Sequence, residues 1–146
     1  MKKNLAIASD HAGYEMKLSI IKYLNEKGYE VKDFGTDSTD SVNYPDYGHI
    51  IAEAVESGLY SLGFSLCGSG NGINMVSNKH QGIRGALCWN REISELARSH
   101  NNANICSMPA RFLDLETARE IVDAFLETAY EGGRHEARVK TIPIQK

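Results

Sequence analysis

The sequence predicts an α/β protein: a single-domain, three-layer α/β/α sandwich around a Rossmann-like, five-stranded parallel sheet. Short apolar runs alternate with helical patterns along the whole chain, and this alternation favours a parallel sheet covered by helices on both faces. The length of 146 residues suits one domain, residues 1–146, in which residues 131–146 form a C-terminal tail. Apolar residues make up 42% and charged residues 24% of the chain, as in ordinary globular proteins, which argues against disorder and coiled coil.

The five strands are predicted from short apolar runs that end at turn or polar residues. A polar stretch, residues 35–43, follows the second run and is predicted to be a loop. In chain order the predicted strands are residues 4–9, 30–34, 63–67, 84–88 and 104–108.

A helix is predicted after each strand, mostly from apolar residues three or four positions apart, which share one face. The first helix ends at Gly28, Pro45 lies just ahead of the second, and the third, near residues 73–78, follows a glycine-rich turn. The other apolar faces are formed by Ile20, Ile21 and Leu24; by Ile50, Ile51, Ala54 and Val55; by Ile93, Leu96 and Ala97; and by Ala118, Ile121, Val122, Phe125, Leu126 and Ala129.

Charge and cysteine content exclude several classes of function. The net charge of −3 gives no electrostatic footprint for nucleic acid, and no apolar run is long enough to span a membrane. Three widely spaced cysteines fit a reducing, cytoplasmic location better than a disulfide framework. With neither CxxC nor HExxH in the sequence, we expect no structural zinc site.

Two chemically rich loops follow predicted strands, at the edge where open α/β sheets bind their ligands. These loops are residues 9–13 (SDHAG) and 67–72 (CGSGNG). The second loop lacks the third glycine of a dinucleotide fingerprint, because Ile73 occupies that position. Its glycines still let the backbone approach a ligand, and amides at a helix start favour a phosphate or an oxyanion.

The three cysteines differ in their expected surroundings. Cys67 closes a strand and opens the glycine loop, so it is either a buried structural cysteine or a thiolate that neighbouring amides stabilise. Cys88 ends a strand that no glycine loop follows, and Cys106 lies inside a strand, so both are predicted to be core residues.

Asp10, His11 and His100 are the other titratable candidates. Asp10 and His11 are either turn and surface residues or part of a site at the carboxyl edge. His100 continues the face of Leu96, and it is either a core histidine or a general acid, since a helix C-terminus favours the imidazolium. The basic tail is either solvated or a binding element.

Together these segments resemble the family of ribose-5-phosphate isomerase B and the galactose-6-phosphate isomerase subunits. The resemblance spans nearly the whole chain in the family order, and the combination of the glycine loop, an SHN segment and a GGRHxxRV tail is specific. The matching segments are SDHAG (9–13), GTDS (35–38), NYPDYG (43–48), CGSGNG (67–72), NKHQGIR (78–84), SHNNAN (99–104), PARF (109–112) and YEGGRHEARV (130–139).

The resemblance implies an aldose–ketose isomerase that acts without a metal or any other cofactor. Cys67 would be the base that moves a proton between C2 and C1 of the sugar. His100 would open the furanose ring as an acid, and Asp10 would assist at the sugar hydroxyls. The hydroxyl of Ser69 and the amides of residues 70–72 would hold the enediolate oxyanion, as preorganised donors can.

The remaining implied residues bind the substrate, a small sugar phosphate. Arginine side chains suit this because they form bidentate contacts with phosphate. The implied phosphate ligands are His11, Arg111, Arg134 and Arg138; Asn101 would contact the sugar; and Gly68, Gly70, Asn71, Gly72, Tyr44 and His135 would line the site.

The geometry of the predicted fold indicates a homodimer with composite active sites. The helix over residues 90–101 runs back from the carboxyl edge for roughly 16–18 Å, at 1.5 Å per residue. His100 should therefore lie at the opposite edge from Cys67, so that His100 of one chain faces Cys67 of another. Such a dimer can pair further into a tetramer. The chain that supplies the tail arginines stays open.

Ribose 5-phosphate is the favoured substrate, and ribulose 5-phosphate the product. The alternatives are a galactose-6-phosphate or allose-6-phosphate isomerase, or a non-catalytic sensor of sugar phosphates or nucleotides. A sensor is disfavoured because both the proposed base and the proposed acid are present.

Overall fold

A parallel sheet of five strands forms the centre of the protein, with the strand order β2-β1-β3-β5-β4. The computed structural model describes residues 3–146. The predicted fold class is confirmed, with five strands in the expected chain order. The strands are β1 (Leu5–Ser9), β2 (Val31–Asp33), β3 (Leu62–Cys67), β4 (Gly85–Leu87) and β5 (Ile105–Pro109).

Residues 3–146 contain six α-helices, and short 3₁₀ turns at His11–Gly13, Ala110–Phe112 and Gly133–His135 precede three of them. Among residues 3–146, no helix combines the length and the apolar character needed to cross a membrane. The helices are α1 (Tyr14–Glu26), α2 (Tyr44–Glu56), α3 (Asn71–Ser77), α4 (Arg91–Ser99), α5 (Leu115–Glu127) and α6 (Glu136–Lys140).

The register of the strands defines two edges of the sheet. Every pair is parallel, with Leu5 beside Leu62 at one end of β3 and Cys67 beside Pro109 at the other. Parallel strands bring all their carboxyl ends to one edge. The loops after β1, β3 and β5 are therefore neighbours, and the loops that lead into these strands lie at the opposite, amino edge.

Two apolar layers hold the helices on opposite faces of the sheet. On one face, side chains of β1, β3 and β5 pack with α1, α4 and α5, and the rings of Phe64 and Phe125 meet edge to face at 5.7 Å. On the other face, Ala6 and Ala8 pack with Ile51 of α2. Burial on both faces of the sheet explains why the three central strands, β1, β3 and β5, are buried along their whole length instead of alternating.

Several element bounds differ from those predicted. β2 and β4 are three residues long because they are edge strands with a single neighbour each. Pro45 lies in the first turn of α2 instead of ahead of it, a position where its missing N–H costs no helical hydrogen bond. The tail, predicted without regular structure, contains α6.

Lys17 is a buried charge inside α1, with no exposed side-chain surface. Its Nζ lies 2.6 Å from Asp33 Oδ1 at the end of β2, and it donates a hydrogen bond of 2.6 Å to the carbonyl of Thr36. A buried ammonium group needs such partners because desolvation of an unpaired charge is costly. The contacts of Lys17 with Asp33 and Thr36 therefore connect α1 to the end of β2 and the loop after it, close to the carboxyl edge of the sheet.

Candidate active site

Cys67 is the last residue of β3, and the glycine loop begins directly after it. Cys67 is 5% exposed. Gly70 has a φ of 74° and precedes α3, whose first backbone hydrogen bond runs from the Asn74 amide to the Gly70 carbonyl at 3.2 Å. The amides of Gly72 and Ile73 lie ahead of that bond and can donate to a ligand. Because α3 has only seven residues, these individual amides matter more than a helix dipole.

Arg111 lies against this loop from the neighbouring strand end. Its backbone amide donates to the Gly68 carbonyl at 3.0 Å. A Cβ atom on Gly68 would lie 3.1 Å from Arg111 Nη1, so glycine is the residue that gives the guanidinium room. The permanent positive charge of Arg111 therefore lies against Gly68, the residue that follows Cys67. In this position it suits a phosphate or a developing oxyanion.

Tyr44 covers the other side of the loop. A Cβ atom on Gly72 would lie 2.5 Å from Cε1 of the Tyr44 ring, so the ring packs directly on the Gly72 backbone. Tyr44 is the first residue of α2 and is 40% exposed. The aromatic ring thus forms a wall beside the amides that start α3.

Asp10 and His11 complete the carboxyl-edge group. The Asp10 amide donates to the Leu66 carbonyl at 3.2 Å, which holds the end of β1 against Cys67's strand. Asp10 Oδ1 accepts hydrogen bonds from two backbone amides of the following turn, so Oδ2 can accept a sugar hydroxyl. His11 Nδ1 accepts from the Val42 amide at 3.2 Å. The ring proton is then on Nε2, which makes that atom a donor for an anion.

A second group of titratable residues forms around His100, the C-cap of α4. Its ring stacks on that of His135, with 4.3 Å between centroids and 19° between planes. Glu131 Oε2 lies 3.7 Å from His100 Nε2 and 3.3 Å from His135 Nε2. The amide of Glu131 donates to the Ser99 carbonyl at 3.0 Å, which anchors the start of the tail at the end of α4.

Two partly buried arginines hold the turn that follows His100. Arg84 Nε donates to the Asn102 carbonyl at 2.8 Å, and Arg98 Nη1 donates to Asn102 Oδ1 at 3.2 Å. Burial lowers the pKa of both guanidinium groups, as expected for cations removed from water. Asn102 has a φ of 49°, a left-handed conformation that asparagine tolerates better than most residues. These contacts fix the backbone on which His100 and Asn101 sit.

The two groups lie at opposite edges of the sheet. The turn after α4 belongs to the amino edge, since the Asn104 amide donates to the carbonyl of Arg84, the residue before β4. Cys67 is paired with Pro109, at the far end of β5, and at about 3.3 Å per residue the strand separates the two edges by about 13 Å. One chain therefore keeps His100 apart from Cys67.

The residues singled out from the sequence fall into these two groups. The strand ends and the helix directions decide which group each residue joins. At the carboxyl edge are Asp10, His11, Tyr44, Cys67, Gly68, Ser69, Gly70, Asn71, Gly72 and Arg111. At the amino edge are His100 and Asn101, with His135, Arg134 and Arg138 in the tail segment anchored there.

Glu131 was not singled out from the sequence, although the structure puts it between two histidines. Its spacing of four residues from His135 is the signal that could have found it, since residues at this spacing can meet on one side of a helical turn. Lys17 was missed as well. Its signal is a lysine on the apolar face of α1, three residues before Ile20.

Comparison with known proteins gives consistent matches over almost the whole chain. A family model described as Ribose/Galactose Isomerase matches residues 5–142. Ribose-5-phosphate isomerase B of Escherichia coli is 41% identical over 140 residues, which are 96% of this chain and 94% of that protein.

Solved structures give the same match in three dimensions. A ribose 5-phosphate isomerase from Thermotoga maritima superimposes with a TM-score of 0.96 at 46% identity and covers 98% of this chain and 99% of its own. Ribose-5-phosphate isomerase B from Mycoplasma genitalium, solved with bound ribulose-5-phosphate, has a TM-score of 0.92 at 38% identity, with 95% and 93% of the two chains covered.

Proposed function

The chain belongs to the ribose/galactose isomerase family, a family of sugar-phosphate isomerases, and we propose that it interconverts ribose 5-phosphate and ribulose 5-phosphate. The observation that carries this proposal is the group formed by Cys67, the glycine loop and Arg111 at the carboxyl edge of the sheet. It combines a candidate base, amide donors and a fixed positive charge. The choice of a pentose phosphate is supported by the relatives named above and by the ribulose-5-phosphate bound to the one from Mycoplasma genitalium.

We propose that the reaction passes through an enediolate. The Cys67 thiolate takes the proton from C2 of the open-chain aldose, and the electron pair moves onto the carbonyl oxygen at C1. The thiol then returns the proton to C1, while the proton on the C2 hydroxyl moves to the C1 oxygen, which yields the ketose. A proton next to a carbonyl is weakly acidic, so the oxyanion must be stabilised by preorganised donors. The Ser69 hydroxyl and the amides of Gly70 and Gly72 are the candidates for that role, whereas the Asn71 amide already donates to Ser69 Oγ at 3.3 Å.

The substrate's phosphate would be held at the carboxyl edge and from across a dimer interface. His11 offers an Nε2 proton and Arg111 a guanidinium from the chain that carries Cys67. Arg134 and Arg138 would come from the other chain, because the tail is anchored beside His100. Binding energy at the phosphate can then be used to position C1 and C2 for proton transfer.

The active site would therefore be composite, shared by two copies of the chain. Opening the furanose ring requires an acid near the ring oxygen, and His100 is the candidate. Because His100 lies at the other edge of the sheet from its own Cys67, we propose that it serves the Cys67 of the partner in a homodimer. Asn101, next to His100, would contact the same sugar, and His135 and Tyr44 would line the site.

The substrate assignment is tested by comparing turnover of ribose 5-phosphate with turnover of galactose 6-phosphate and allose 6-phosphate at equal concentrations. We expect kcat/KM to be highest for the pentose phosphate, because ribulose-5-phosphate is the ligand bound in the Mycoplasma genitalium relative. Efficient turnover of a hexose phosphate alone would overturn the choice of substrate. Binding of all three sugars with no turnover would indicate a sensor instead of an enzyme.

A further inference from the structure

We propose that His100, Glu131 and His135 form a binding site for a divalent transition-metal ion such as Zn²⁺, and that this ion inhibits the enzyme. The site itself follows from the positions of the three side chains. The inhibition rests on the proposed function, because it requires His100 to act as the ring-opening acid.

The donor atoms have the spacing and the chemistry of a zinc site. Glu131 Oε2 lies 3.3 Å from His135 Nε2 and 3.7 Å from His100 Nε2, and the three ligand atoms lie within 4.8 Å of one another. Zinc bonds to imidazole and carboxylate are about 2.0–2.2 Å long, so neighbouring ligands of a tetrahedral ion are roughly 3.3 Å apart. The two rings are stacked with 19° between their planes, so both side chains must rotate about their χ angles before the two nitrogen lone pairs meet at one ion.

His135 supplies the observation that points to a missing ligand. Its side chain is only 8% exposed, and its Nε2 has no hydrogen-bond partner in the part of the chain that the structure describes. The nearby Glu131 oxygen is close in distance but is not aligned for a hydrogen bond. A buried polar atom without a partner is uncommon and costly, and a metal ion would satisfy it.

The backbone fixes the positions of the three residues before any ion binds. The His100 amide donates to the Leu96 carbonyl at 2.9 Å, the Glu131 amide to the Ser99 carbonyl at 3.0 Å, and the His135 amide to Gly132 at 3.0 Å. Two histidines and one carboxylate occupy three positions of a tetrahedral ion. The fourth position stays open to water or to a sugar hydroxyl, as in zinc sites that exchange ligands.

Metal binding would block the proposed acid directly. An ion on His100 Nε2 occupies the lone pair that otherwise carries the transferable proton. The imidazole then has no proton at this atom to give to the furanose ring oxygen. We therefore expect zinc to act on ring opening, and so on turnover of the cyclic substrate.

The test compares zinc binding by the wild-type protein, Glu131→Gln and Glu127→Gln. Glu127 is the matched control because its side chain is as exposed as that of Glu131, at 58%, and it contacts Lys27 instead of a histidine. Titration calorimetry with zinc sulfate should give one ion per chain for the wild type and for Glu127→Gln. Loss of a ligand should weaken binding by at least about tenfold in Glu131→Gln, since changes even to outer-shell residues cost that much.

Activity is then measured for each variant with and without zinc, relative to its own zinc-free rate, and after addition of EDTA. We expect zinc to inhibit the wild type and Glu127→Gln reversibly at concentrations that leave Glu131→Gln active. Equal zinc affinity in all three proteins, or no binding, would overturn the metal site. Zinc binding that depends on Glu131 but does not inhibit turnover would support the metal site and contradict the proposed role of His100.

Discussion

Cys67 and Cys106 lie on neighbouring strands, yet their surroundings suit them to different tasks. Cys106 is fully buried in β5, and burial, together with the adjacent Cys88 thiol, raises its pKa well above the usual range. It therefore stays a neutral thiol and part of the core. Cys67 lies at the strand end, beside loop amides and the Arg111 cation. At the scale of the residue, the position along the strand makes Cys67 a candidate base and Cys106 a core residue.

Replacement of the proposed base gives the residue-scale prediction. Cys67→Ala should lower kcat by about 10²–10⁴-fold, the usual contribution of a general base. The phosphate ligands are untouched, so calorimetric binding of ribose 5-phosphate should change little. Cys106→Ala is the control, and we expect it to lose stability but retain kcat. Nearly wild-type turnover by Cys67→Ala would rule out the thiol as the base.

The sequence could predict residues next to strand ends more easily than residues defined by packing. Asp10, His11 and Cys67 directly follow or end apolar runs, so their edge of the sheet follows from topology. Glu131 could not be found this way, because its role depends on how the tail folds back onto the end of α4. Lys17 was missed because its burial depends on Asp33 and Thr36, which are distant in sequence.

The glycine loop between β3 and α3 is the element that links the fold to the chemistry. At Gly70 the backbone is left-handed, and a Cβ atom would lie 2.6 Å from Leu87 Cδ1 and 3.0 Å from the Met108 backbone. Gly58, which follows α2, has a similar φ of 86° but nothing within 4 Å of its Cβ position. A comparison of Gly58 with Gly70 therefore separates two losses of unfolding free energy. One comes from the left-handed backbone and the other from the close contact.

Alanine substitutions at these two glycines give the element-scale prediction. Gly58→Ala should lose about 1–2 kcal/mol of unfolding free energy from the left-handed conformation alone, with activity unchanged. Gly70→Ala should lose about 1–3 kcal/mol more, because the contact forces a backbone shift, and kcat should fall as the loop amides move. Urea denaturation and steady-state kinetics measure both effects. Equal stability losses in the two variants would show that the loop adapts to the extra atom.

Element type was easier to predict than element bounds. The helix faces near Ile20 and Ile121 follow from apolar spacing, which the core uses directly. The ends of β2 and β4 depend on pairing with a single neighbour, and α6 is too short to show a period. Helix α4 ends at Ser99, two residues before the predicted end at residue 101, and His100 is its C-cap.

At the scale of the whole molecule, the direction of α4 determines the edge of the sheet at which His100 lies. The helix begins after β4 at the carboxyl edge and returns to the amino edge, and the tail is anchored to its end. Sequence spacing was enough to predict that His100 and Cys67 are separated, because a returning helix of this length spans the sheet. The proposed placement of the tail arginines in the partner's site rests on the observed hydrogen bond between Glu131 and Ser99.

The composite site is tested most directly by a heterodimer of two inactive chains, Cys67→Ala and His100→Asn, co-expressed with different tags and purified through both. If each site combines Cys67 of one chain with His100 of the other, the heterodimer has one intact site and one doubly substituted site. We expect about half the wild-type activity per dimer, while each parental homodimer stays nearly inactive. A heterodimer no more active than its parents, or chains that do not associate, would contradict the shared site.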